Sequence, residues 1–127
     1  MPAETEAQRL SRMQAELIKK SVYFDYDNFM LKPQYQDIVK QNADFMKLLG
    51  KDTLEVEGNA DDRGSKEYNL ALGQKRAESV RKALLSLGVA DKRIEAISYG
   101  EEKPRASCPE EKCWQENRRV DFVYKSK

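Results

Sequence analysis

Hydrophobic and polar positions repeat with two different periods along this chain, and the change of period marks its elements. From Thr53 to Gly58 (TLEVEG) the period is two, with Leu54, Val56 and Gly58 on one side and Glu55 and Glu57 on the other. That is a half-buried strand. Asn59 to Gly64 (NADDRG) is turn chemistry, and Ser65 can cap the helix that follows. From there the period lengthens. Leu70, Gly73, Ala77, Val80, Leu84 and Leu87 recur at helical spacing, and Gly88 ends the run. Gly73 and Ala77 are small enough to bring this helix close to a sheet. Lys75, Glu78 and Lys82 fall on its wet side, with Glu78 and Lys82 spaced as an i,i+4 pair.

Three more strands and one more long helix follow from the same reading. Ser21–Tyr26 (SVYFDY) and Arg93–Tyr99 (RIEAISY) are dense in β-formers, and Val120, Phe122 and Tyr124 alternate. Tyr35, Ile38, Val39, Phe45, Met46 and Leu49 place a helix over 33–49, with Pro33 in its first turn and Gly50 as its stop. Cys113–Asn117 has room for a helical turn. Residues 1–20 read as a polar helical lead or linker, with a thin stripe of Ala7, Leu10, Met13 and Leu17. The domain proper is then 21–127. Its order β-α-β-α-β-β predicts an α/β (α+β) two-layer sandwich, a mixed four-stranded sheet with helices on one face. Two β-α-β crossovers place parallel neighbours in part of that sheet.

Composition narrows the chemistry. The chain has 127 residues, 23 Lys+Arg against 22 Asp+Glu, and no histidine. One domain fits that length. The charge balance and the missing aromatic-basic signature argue against a nucleic-acid partner. Without histidine there is no Ser-His-Asp or Cys-His nucleophile system and no His-containing metal site. Cys108 and Cys113 alone cannot complete a four-ligand zinc site, so the pair is either a local disulfide or two free thiols. No metal and no cofactor is expected. The Asp61-Asp62 pair is too short a motif for an EF-hand calcium loop, and beside Arg63 both acids are expected to stay ionised, which does not suit glycosidase chemistry.

The informative stretch is Glu57–Ala77. Asp61 leaves a strand and enters a helix, while Asn69, Leu72 and Arg76 share one face of that helix beside its core stripe. A loop carboxylate and a guanidinium on the helix flank would together receive a zwitterion, the first taking an ammonium and the second forking a carboxylate. The plainer alternatives are an Asp61–Arg76 ion pair or Asp61 as a helix cap. If strands one and two end on the same edge of the sheet, Tyr26 and Asp27 stand beside Asp61. Arg118-Arg119 reads as solvated charge or as a guard on a strand edge.

Four separated segments carry a family resemblance: VYFDYDNFML (22–31), VEGNADDRGSKEYNLALGQKRAESV (56–80), ISYGEEKP (97–104) and NRRVDFVY (117–124). Together they resemble the OmpA-like peptidoglycan-binding domain, and in that family the lipid-anchored Pal-type branch. The resemblance implies a non-catalytic domain that binds the peptide stem of peptidoglycan at its meso-diaminopimelate, tethering the outer membrane to the cell wall within a Tol-Pal type system. It implies Asp61 and Arg76 as contacts to that residue, Tyr26 and Asp27 from the end of the first strand, and Asn69 and Leu72 lining the pocket. Asn59 stands where the family often has histidine, and is carried as a further pocket residue that cannot titrate. A TolB-like periplasmic protein is the implied partner. The periplasmic face of the outer membrane is the implied location, and that setting favours a Cys108–Cys113 disulfide. No lipidated cysteine precedes the domain here, so the expectation is a fragment without export signal or anchor, with Met1 supplied for expression. The rival readings are the wall-binding end of a porin or flagellar stator protein, a wall hydrolase, and a pure protein-interaction module.

Overall fold

A computed structural model describes residues 3–125. The reading of Met1 and the outer limits of the two expected regions at 1 and 127 lie outside the described residues. Helix α1 (Glu6–Leu17) begins in a reciprocal cap: the Thr5 hydroxyl accepts from the Gln8 backbone and the Gln8 side chain accepts from the Thr5 backbone. It lies against α2 (Gln36–Leu48) and buries Leu17. The other elements are β1 (Val22–Tyr23), β2 (Thr53–Asn59), α3 (Lys66–Ser86), β3 (Ile94–Gly100), α4 (Glu111–Asn117) and β4 (Arg119–Lys125). Among the described residues no helix is long and apolar enough to cross a membrane.

The sheet runs in the order β1-β4-β2-β3. β2 and β3 are parallel, with Val56 beside Ala96, while β4 is antiparallel to both β1 and β2, with Phe122 opposite Val56. Only the β2-α3-β3 crossover therefore joins neighbours. The first crossover leaves a gap, and β4 fills it. Val22, Phe24, Val39, Ala43, Met46, Leu54, Val56, Ala77, Val80, Leu84, Val120 and Phe122 form one core between the sheet and the two long helices.

The small residues of α3 do what their size predicts. A Cβ on Gly58 would lie 1.8 Å from the Gly73 carbonyl oxygen, and a Cβ on Gly73 would lie 2.3 Å from the Ser98 hydroxyl oxygen. Helix and sheet touch backbone to backbone here. That close approach rotates α3 relative to the expected stripe. Leu70 and Leu87 are exposed, and Asn69, Leu72 and Arg76 are buried in their place. On the wet side Glu78 pairs with Arg81 at 3.3 Å instead of with Lys82.

Two further details differ from the local pattern. The first strand is only two residues long, because the chain beyond Phe24 turns its carbonyls toward α3. At the end of α2 Gly50 is not in a left-handed conformation, and Leu49 is extended. Arg93 caps this helix from a distance, donating to the carbonyls of Met46 and Leu49 at 2.8 Å each and of Asp52 at 3.0 Å. The Met46 carbonyl is one of the orphans that a C′ glycine motif would otherwise satisfy.

The 101–110 loop crosses the face of the sheet that the helices leave open. Arg105 donates to the Tyr23 hydroxyl at 2.6 Å and to Asp121 at 3.0 Å, and Lys103 stands 3.6 Å from Glu57. Asn117 pins the loop from α4, accepting from the backbone of Arg105 and Ala106 and donating to the Ala106 carbonyl. Cys108 and Cys113 form a disulfide that ties the loop to the first turn of α4.

Substituting Gly58 or Gly73 by alanine should cost about 2 kcal/mol, since overpacking here meets backbone or the Ser98 hydroxyl held on the Leu70 carbonyl; a urea midpoint unchanged in both variants would contradict this contact. Replacing both cysteines by alanine should cost about 2 kcal/mol, the loop-closure entropy of so short a ring, read from the same urea titration.

Candidate functional site

β1 and β2 are both antiparallel to β4, so their C-terminal ends meet at one end of the sheet. Asp27, leaving β1, takes a φ of +53°, a left-handed conformation that aspartate tolerates better than most residues. Its carboxylate accepts from the Tyr68 hydroxyl. After β2 the chain turns at once: the Ala60 N–H donates to Gly100 O at 2.8 Å, Asp61 points back into the fold, and Gly64 turns the chain with a φ of +92°. Ser65 then caps α3, accepting from the Tyr68 N–H at 3.1 Å. Tyr26, Asp27, Asp61, Arg63, Asn69 and Leu72 converge on a cavity of about 60 Å³. Five of the seven residues expected from the sequence therefore stand together.

Asp61 is almost buried, yet the balance of its surroundings keeps it charged. Burial on its own would raise its carboxyl. Hydrogen bonds from the Arg63 side chain and backbone, then the charges of Arg63 and Arg118, outweigh that effect and hold it below the usual value. Arg63 forks the carboxylate, Nη2 donating to Oδ2 at 2.9 Å and Nε to Oδ1 at 3.2 Å, while its backbone N–H reaches Oδ1 at 3.0 Å. The partner that sequence spacing suggested, Arg76, is not bonded to Asp61.

Arg76 and Asn59 take different places from those expected. Arg76 is fully buried and donates to three carbonyls: Nε to Asn28 at 2.8 Å, Nη1 to Asn59 at 2.9 Å and Nη2 to Asp25 at 3.1 Å. It offers no exposed edge to the cavity. Burial first, and the neighbouring Arg118 charge second, depress it to about 10. Asn59 contributes its carbonyl to Arg76, but its side chain turns away, donating to the carbonyls of Glu57 at 3.0 Å and Arg119 at 3.4 Å. The register of β2 against β3 slips between Gly58 and Asn59, and the side chain is spent on strand carbonyls and does not line the cavity.

Three residues that local reasoning left out complete the site. The Arg63 guanidinium carbon sits 4.0 Å from the ring centroids of both Tyr26 and Trp114. Trp114 comes from α4, about fifty residues further on. Arg118 is not solvated: it is buried, Nε donates to Phe24 O at 2.8 Å, Nη2 to Glu111 at 2.6 Å, and Nη1 stands 3.7 Å from Asp61 Oδ2 without a hydrogen-bond partner of its own. Arg119 is equally buried, spent on Asp121 and the Lys103 carbonyl. The only advance signal for this cluster was the position of Arg63 two residues after Asp61.

Known proteins support this architecture. Residues 23–118 match the OmpA family. The chain is 41% identical over 102 residues to the peptidoglycan-associated lipoprotein of Brucella melitensis, covering 80% of this chain and 61% of that protein. To the peptidoglycan-associated lipoprotein of Pasteurella multocida it is 38% identical over 104 residues, covering 82% and 69%. The chain thus spans about three fifths of the length of the first of these curated relatives. The crystal structure of the peptidoglycan-associated lipoprotein from Burkholderia pseudomallei superposes with a TM-score of 0.82 at 49% identity, over 86% of this chain and 93% of that one. The C-terminal domain of Helicobacter pylori MotB shares the fold, with a TM-score of 0.75 at 22% identity and 85% of each chain covered. The chain belongs to the OmpA family, and the peptidoglycan-associated lipoproteins are relatives it resembles over most of its length.

Proposed function

We propose that this domain binds peptidoglycan without cleaving it, and that in the whole protein it tethers the outer membrane to the cell wall. The observation that carries the reading is Asp61: a nearly buried carboxylate kept ionised at a cavity, with guanidinium groups beside it. Such a site favours a ligand that brings both signs of charge in a small volume. The distal centre of meso-diaminopimelate in an uncrosslinked peptide stem does so, with an ammonium and a carboxylate on one carbon. The names of the relatives, peptidoglycan-associated lipoproteins, support the same ligand class.

On this reading each residue of the site has a role. Asp61 takes the ammonium, while Tyr26, Asp27, Asn69 and Leu72 enclose the ligand. Arg76 acts from behind by holding the Asp25–Asn28 backbone and the end of β2 in place. Three hydrogen bonds from a charged donor, at about 1.5–3 kcal/mol each, offset the several kcal/mol needed to bury that charge. General acid catalysis has little to work with at this site. The Asp61 carboxyl is lowered, and a general acid needs a raised one. The carboxyl that is raised, Glu57, lies on the opposite face of the sheet, pushed up first by burial and then by its hydrogen bond with Glu55. A lipid anchor, a periplasmic location and a TolB-like partner belong to the same proposal, on the strength of the family pattern.

Asp61→Asn should weaken binding of a diaminopimelate-containing stem peptide by about 10-fold to 100-fold, the loss of one charge-assisted hydrogen-bond set, measured by titration calorimetry. Wild-type affinity in that variant would remove Asp61 from the site. The pH dependence has a defined sign. A carboxylate lowered in the folded protein contributes above its ordinary range and loses that contribution as pH falls through the lowered value. With no histidine in the chain, affinity should stay level from about pH 8 to about pH 5. A midpoint near pH 6 to 7 in the same calorimetric series would contradict this.

A further inference from the structure

The cavity at Asp61 is narrow, about 60 Å³, and the protein itself already occupies the carboxylate that a ligand ammonium would need. Arg63 is the occupant. Its guanidinium lies between the faces of Tyr26 and Trp114, 4.0 Å from each centroid, with the Asp61 carboxylate along its edge. Two aromatic faces with a carboxylate between them make a receptor for a cation. The protein supplies that cation itself.

This occupant is able to leave. Arg63 stands in a surface turn, its side chain 29% exposed, and Gly64 follows it. Its departure would not strand Asp61, because Arg118 Nη1 remains 3.7 Å away, buried and without a hydrogen-bond partner. Nor is another guanidinium free to meet a ligand carboxylate. Arg76 is fully buried on three carbonyls, and Arg118 is committed through Nε and Nη2 to Phe24 O and Glu111.

We infer that Arg63 is the residue that distinguishes diaminopimelate from lysine: the ligand's ammonium replaces its guanidinium on Asp61, between Tyr26 and Trp114, and the released guanidinium turns onto the adjacent ligand carboxylate. The inference rests on the proposed peptidoglycan reading. Charge is conserved in the exchange. One internal ion pair becomes two pairs with the ligand, and the guanidinium, anchored two residues from Asp61, has little distance to travel. A lysine side chain brings the same ammonium without the carboxylate, so the displaced Arg63 is left in water. The net gain then comes from the carboxylate alone, and it sets the preference.

The test uses two stem peptides identical except for meso-diaminopimelate or L-lysine at the third position. Each is titrated calorimetrically into the wild-type chain, Arg63→Ala and Arg63→Lys. Emission of Trp114, the one tryptophan, is followed in parallel as a direct report on the stacked guanidinium. The wild type should prefer the diaminopimelate peptide by about 10-fold or more, with a change in Trp114 emission on binding. Arg63→Ala should bring the ratio close to one by tightening the lysine peptide, which no longer has to displace an internal ion pair, while the diaminopimelate peptide loses its carboxylate partner and becomes no tighter; Arg63→Lys should keep part of the preference. An unchanged ratio in Arg63→Ala overturns the inference, as does tighter binding of both peptides, which would make Arg63 a mere plug. Equal wild-type affinity for the two peptides also overturns it while leaving the site in place. If the wild type binds neither peptide, the peptidoglycan reading itself falls.

Discussion

Arg76 is the largest side chain in the molecule with essentially no exposed surface, and its guanidinium joins three segments that are far apart in sequence. It reaches from α3 to the end of β2 at Asn59 and to both sides of the turn after β1, at Asp25 and Asn28. Its position depends in turn on the contact between Gly58 and Gly73, because only a helix lying directly on the sheet brings position 76 within reach of the Asn59 carbonyl. Two glycines thus permit the approach and one arginine fixes it. The walls of the candidate site are the segments that this arginine ties together.

A buried cation without a carboxylate partner would be costly on its own. Here the peptide carbonyls supply the compensation, which leaves the nearby carboxylates for other work. Asp61 is shared between Arg63 and Arg118, and Glu111 is lowered by its hydrogen bond to Arg118. Both Glu111 and Trp114 are presented by α4, a helix of seven residues whose N-cap residue Glu110 makes no side-chain cap. A helix so short is marginal alone. The Cys108–Cys113 disulfide in its first turn and the Asn117 hydrogen bonds at its end hold it against the rest. The charge cluster and the disulfide are therefore one structural unit, although they lie about fifty residues apart in the chain.

That distance explains what the sequence could and could not reveal. Elements with a strong period were legible: TLEVEG, the Ser65 cap, the extent of α3 and the small face at Gly73 and Ala77 all stand as local pattern predicts. So does the convergence of Tyr26 and Asp27 on Asp61, once strand direction is considered. The long cations were not legible. Arg76 bonds to Asp25 across 51 positions, Arg118 to Phe24 across 94, and Arg93 caps a helix 47 positions earlier. No local window shows such pairs. Reading Arg118-Arg119 as solvated charge, or Gly50 as the stop of α2, fails for that reason. Asn59 differs in another way: it stands at the end of β2, but its side chain is taken up by the Glu57 and Arg119 carbonyls.

The location of the site also bears on how it binds. Neither the groove of about 380 Å³ between the long helices, lined by Leu31, Val39, Ala83 and Leu87, nor the wider one of about 560 Å³ beside Leu70 and Ile97 holds any of the converging charges. The charged cavity is the small one. A ligand recognised there gains little from apolar burial. The ion pairs it forms with Asp61 and Arg63 also cost the protein the one that joined those two residues. Recognition by exchange of that kind gives discrimination without high affinity, because the free energy of the lost internal pair is subtracted from every ligand, while only a ligand with both charges recovers it. A domain that must tell one small zwitterionic centre from a plain amine, on a polymer that repeats it many times, is served by that arrangement: the sum over many weak contacts supplies the hold, and the single site supplies the selection.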